Sequence, residues 1–90
     1  MANRKSKDCP PGKEFVFKTP SGGVVGRAKN MMEFSNLLKS APIASVEYHA
    51  NGGHFSLWLD SVMGEGRIAS TLKGVRGTGE GLRRDILRYL

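Results

Sequence analysis

The chain holds little of what most functional classes require. A single cysteine, Cys9, rules out an internal disulfide and points to a reducing compartment. No apolar run approaches the roughly 20 residues that span a bilayer. The basic N-terminus is followed by no apolar segment of the kind that marks a secretory signal, so a cytoplasmic protein is expected. No internal repeat and no low-complexity segment is present.

Catalytic signatures are equally sparse. No G-x-S-x-G or similar pattern supports a Ser/His/Asp nucleophile. General acid–base work needs carboxylates or a histidine held together in a cleft, yet Glu33, Glu47, Asp60 and Glu65 fall on scattered polar faces. Nothing matches an RNP strand, a zinc finger or a helix-turn-helix. Gly77-Thr78-Gly79-Glu80-Gly81 resembles a phosphate-cradling loop at a helix start. It lacks the P-loop lysine, follows a helix rather than a strand and carries Glu80, so it reads as a plain interhelical turn.

What is present describes one small domain. Apolar content of 39% and charged content of 24% are those of an ordinary soluble chain, and 90 residues suffice for a single core. Residues 1–13, without apolar periodicity and with Pro10-Pro11-Gly12, read as a flexible basic tail in which Cys9 is exposed. Residues 14–90 read as the globular domain. Its 12 glycines, mostly grouped between apolar runs, indicate short elements and tight turns.

The expected fold class is α+β and mostly helical: a short N-terminal β-hairpin packed on four or five short helices. Phe15-Val16-Phe17 and Val24-Val25 flank Pro20-Ser21-Gly22-Gly23, a hairpin pattern with Phe15 and Phe17 facing inward. Asn30 caps a helix in which Glu33 holds the capping-box position. Its stripe is Met31, Phe34, Leu37, Leu38 and Ala41, with Met32 as further core filler, and Pro42 ends it. Residues 43–50 suit either helix or strand. Pro42 before them and Asn51-Gly52-Gly53 after them favour helix. His54 to Met63 has Phe55, Trp58, Leu59 and Val62 on one face and Ser56, Asp60 and Ser61 on the other. Ile68, Ala69, Leu72 and Val75 mark a fourth helix. A fifth, capped by Thr78, has Leu82, Ile86, Tyr89 and Leu90 as its buried stripe. The candidate core is therefore Phe15, Phe17, Phe34, Leu38, Phe55, Trp58, Leu59, Val62, Leu72, Leu82 and Ile86.

Net charge of +6 is concentrated at the two ends. Lys73, Arg76, Arg83, Arg84 and Arg88 near the C-terminus form a candidate grip on phosphate, with Arg84 and Arg88 four apart on one helical face. His49 and His54 bracket the glycine turn. Across a turn they do not form the i, i+4 pair of a zinc helix, and a zinc site needs further ligands, so no metal and no cofactor is assigned. His54 at a helix start suits bonding to free backbone groups. His49 at a helix end would be favoured when protonated by the helix dipole. Trp58 sits on the apolar stripe and reads as core rather than as a stacking platform.

Phe15-Val16-Phe17, Met32-Glu33-Phe34, Ser45-Val46-Glu47-Tyr48-His49, His54-Phe55-Ser56-Leu57-Trp58-Leu59, Ile68-Ala69 and Gly79-Glu80-Gly81-Leu82-Arg83 together resemble a family of small, mainly archaeal domains of uncharacterised function. Members occur alone or beside larger catalytic or ATPase domains. The resemblance implies a compact, mostly helical fold over residues 14–90 and supplies no activity.

The functional expectation is a non-catalytic binding or regulatory module acting through a protein partner. A second reading is phosphate-backbone binding to nucleic acid through the basic C-terminal helix and N-terminal tail. A third is a small metal-dependent enzyme using His49 and His54. The candidate binding residues are His49, His54, Lys73, Arg76, Arg83, Arg84 and Arg88, and no residue is assigned a catalytic role.

Overall fold

A computed structural model describes residues 7–90. Two antiparallel strands, β1 (Phe15–Lys18) and β2 (Val24–Ala28), precede five helices: α1 (Met31–Ser40), α2 (Ile43–Asn51), α3 (His54–Ser61), α4 (Gly66–Lys73) and α5 (Gly79–Arg88). The fold is α+β and mostly helical, as the pattern of apolar residues requires, and the ambiguous stretch from Ile43 is a helix.

Alternation in β1 turns Phe15 and Phe17 inward, and both are buried. Opposite them, β2 crosses α1 at Gly26. A Cβ there would stand 2.8 Å from Leu37 Cδ2, so the missing side chain is what lets the hairpin seat on the helix. Asn30 caps α1 through Oδ1, accepting from the Glu33 N–H at 2.8 Å. The Glu33 carboxylate reaches back to the Lys29 N–H at 2.9 Å, one residue earlier than the usual box. Gly53, at φ +74°, turns the chain from α2 into α3.

The core is an aromatic cluster. Phe34 stacks on Trp58 with centroids 5.3 Å apart, and Phe15 meets Phe17, Phe34, Phe55 and Trp58 within 5.7 Å. Rings at such separations add attraction beyond their burial. Leu38, Leu59, Leu72, Leu82 and Ile86 extend it from α1, α3, α4 and α5.

Several expectations are corrected. Val62 lies just beyond α3 and is only partly buried against the core. Met32 is 55% exposed, because α1 is covered on one side only. Tyr89 is 45% exposed, since α5 ends at Arg88 and Tyr89 leaves its stripe. Thr78 stands at the N-cap of α5 but makes no side-chain cap bond. Cys9, expected exposed, is buried. Residues 1–6 of the expected tail lie outside the described residues. The stretch from Lys7 to Lys13 is tied down at three points. The Cys9 N–H donates to Lys29 O at 2.6 Å, Asn30 Nδ2 donates to Asp8 Oδ1 at 2.9 Å, and Trp58 Nε1 donates to Lys13 O at 2.7 Å.

The last of these bonds joins the largest core ring to the N-terminal segment. Trp58→Phe keeps most of the ring and removes the donor, and a lost hydrogen bond of this kind costs about 1 kcal/mol. Urea unfolding of the variant is expected to show that loss, together with earlier proteolytic cleavage near Lys13; an unchanged midpoint would mean that the bond contributes nothing.

Candidate functional site

The sequence candidates separate into three groups, with Lys73 apart from them at the end of α4. Arg76 and Arg83 serve the fold. Arg76 Nη1 donates to Asn51 O at 2.8 Å and Ala50 O at 3.4 Å, closing the C-terminal end of α2. Asn51 binds Gly77 on the same side, donating from Nδ2 to its carbonyl at 3.1 Å. Arg83 Nη1 donates to Leu38 O at 2.8 Å and Lys39 O at 3.0 Å, closing α1, while its Nε pairs with Glu80 at 2.8 Å. Helix carbonyl ends carry partial negative charge and lack internal partners, so a guanidinium satisfies both needs. The Gly77–Gly81 turn is likewise occupied from within. Glu47 Oε2 accepts the Gly79 N–H at 2.7 Å, placing a carboxylate where a phosphate would sit.

Arg84 and Arg88 form the second group. Both are exposed on α5, where Arg88 stands 4.0 Å from Asp85.

His49 and His54 form the third, and they do meet. His49 is 4% exposed, with its ring among Phe15, Phe17 and Phe55. The Lys18 amide of β1 donates to His49 Nε2 at 2.8 Å. That nitrogen therefore carries no proton, and the neutral ring must hold its proton on Nδ1. Nδ1 lies 3.0 Å from His54 Nδ1, so His49 donates and His54 accepts. Burial, then the neighbouring His54 and Lys18, lowers the His49 pKa from 6.5 to about 4. The expectation that His49 is stabilised as a cation at a helix end is thus overturned, because desolvation outweighs the dipole. His54 bonds a side chain rather than the free backbone groups expected of it. Both ring nitrogens of His49 are engaged, and among the described residues no group of three His, Cys, Asp or Glu side chains is placed to hold a metal.

A broad concavity lies elsewhere, between α3 and α4. It is an open groove of about 550 Å³ lined by Gly52, Gly53, Ser56, Leu57, Asp60, Gly66, Ala69, Ser70, Lys73 and Arg76. Leu57, at 67% exposed, is the most exposed large apolar side chain among the described residues. Asp60 Oδ1 lies 3.5 Å from where a Gly66 Cβ would stand, over the positive start of α4, which offsets its charge. Lys73 and Arg76 leave the groove basic. Of its lining, only Lys73 and Arg76 were candidates from sequence. The signal for the rest was Leu57 itself, a leucine off the apolar stripe of α3.

Family models, curated proteins and solved structures were each compared with the chain, and none matches. No helix among the described residues is long and apolar enough to cross a membrane.

Two measurements check these roles. Arg83→Ala leaves the α1 carbonyls without their donor and is expected to cost about 1–3 kcal/mol, whereas Arg84→Ala should stay within about 0.5 kcal/mol; equal effects would overturn the capping role. For His49, the unfolded chain binds more protons than the folded one between pH 4 and 6.5, so the stability is complete above that window and is lost as pH falls through it. Denaturant unfolding should show wild type losing up to about 1.4 kcal/mol more per pH unit than His49→Gln in that range; parallel curves would count against it.

Proposed function

We propose that the chain is a non-catalytic binding module that receives an acidic, apolar-anchored segment of a protein partner in the α3–α4 groove. The observation that carries this reading is the placement of Leu57 beside Lys73 and Arg76 on one concave surface. An exposed leucine alone is ordinary. Set in a groove with two cations and the hydroxyls of Ser56 and Ser70, it offers an apolar contact flanked by charge and polar groups, the composition of a recognition site. A net charge of +6 favours encounter with an acidic partner. A cytoplasmic setting is part of the reading, supported by the lone Cys9.

Nucleic-acid binding is the second reading. It rests on Arg84 and Arg88, exposed four residues apart on α5. It is weaker because Arg83 is spent on the end of α1, and Glu80 and Asp85 share the α5 surface. The metal-enzyme reading has least support, because His49 has no nitrogen lone pair left for a ligand bond.

Panning a random 12-residue peptide library on the folded protein is expected to enrich acidic sequences with one large apolar residue. Leu57→Glu and Lys73→Glu should each weaken an enriched peptide at least tenfold, about 1.4 kcal/mol, with Tm unchanged. No acidic enrichment, or equal Kd in the variants, would refute the reading. Salt-dependent retention on DNA or RNA, abolished by Arg84→Ala with Arg88→Ala, would favour nucleic acid instead.

A further inference from the structure

Beside the groove stands a pair of side chains that its lining does not use. His54 is the first residue of α3, and Gly52 and Gly53, which precede it, form one end of the groove. A Cβ on Gly52 would lie 2.7 Å from His54 Nε2, so the imidazole rests directly on the groove's backbone. On its other side the ring meets Tyr48 edge-on at 5.1 Å and His49 at 5.2 Å.

The hydrogen bonds leave one protonation pattern for the neutral pair. The Lys18 N–H occupies His49 Nε2, His49 must donate from Nδ1, and His54 must accept at Nδ1. With His49 Nε2 held under the Lys18 N–H, the lone pair that can take a further proton is His54 Nδ1, once its bond from His49 opens. With the proton bound there, two N–H groups face each other at a separation of 3.0 Å, and their attraction becomes repulsion. His49 cannot relieve this by changing tautomer, because that would set its Nε2–H against the Lys18 N–H. It also cannot move, being packed among three phenylalanine rings. His54, only half-buried, is the ring left to yield.

We propose that the His49–His54 pair makes the groove pH-sensitive, proton uptake at His54 Nδ1 unseating the α2–α3 corner so that the groove loses its shape on acidification. This regulation rests on the groove being the binding site. The titratable and charged groups that face the pair include Lys18 from β1 and Tyr48 from α2. Glu47 on the same helix turns its carboxylate to Gly79 instead. Histidine protonation is a recurrent basis on which proteins sense mild acid.

The test follows backbone amides and imidazole nitrogens by ¹H–¹⁵N NMR from pH 7.5 to 5.0, with the protein alone. Expected at the upper end are His49 protonated on Nδ1 and His54 on Nε2. On acidification His54 should gain its second proton, while the amides of Gly52, Gly53, Ser56 and Leu57 shift with the same midpoint. In His54→Gln, whose amide oxygen still accepts from His49, those four amides should stay flat across the range. Should that variant lose amide dispersion, His54→Asn serves the same comparison. Groove amides that do not follow His54, or that move equally in the variants, would overturn the proposal. The readout needs no peptide, so absence of peptide binding bears on the groove reading alone.

Discussion

The hydrogen bond from the Lys18 amide to His49 Nε2 joins the hairpin to the helices through the middle of the molecule. It places a polar ring inside an aromatic core, where an unpaired imidazole would cost several kcal/mol. Its presence therefore constrains everything near it. The end of β1 must present an N–H inward, α2 must stop soon after His49, and His54 must accept the remaining proton across the glycine turn. The one bulge in the ladder, at Phe17 and Lys18, lies where the strand makes this contact. Hairpin, corner and core are set by one chain of donors and acceptors.

Around that chain the aromatic rings supply bulk and the arginines supply closure. Five helices of eight to ten residues are each too short to be stable alone. They depend on packing and on satisfied ends. The α1 start is closed by Asn30 and Glu33, its C-terminal end by Arg83, the α2 end by Arg76 and the α5 start by Glu47. Two of the five cationic side chains that sequence alone would send to a ligand, Arg76 and Arg83, are thus bonded internally.

Periodicity made the elements legible. Phe55, Trp58 and Leu59 are one helix face whatever they pack against, and Phe15 and Phe17 alternate as a half-buried strand must. Even Ile43 to Asn51 resolved toward helix on its flanking Pro42 and glycines. Placement of the ends was less legible. Met32 and Tyr89 carry apolar side chains, but whether a face is covered depends on where neighbouring helices stop. The polar contacts were hidden for another reason. Arg83 finds its carbonyls 44 and 45 residues away, and the Lys18 donor is a main-chain group with no side-chain signature. Of the groove, only the misplaced Leu57 could have been read, as a leucine where α3 otherwise shows water-facing residues.

The arginine closures also bear on how the chain acquires its shape. The carbonyl ends of α1 and α2 belong to the first 51 residues, but their donors arrive 25 to 45 residues later. Without those later residues the two helix ends lack their donors, and without Trp58 and Leu59 the early phenylalanines lack their cover. No N-terminal portion is complete by itself, so the domain is expected to fold as one late, cooperative event once α5 is free.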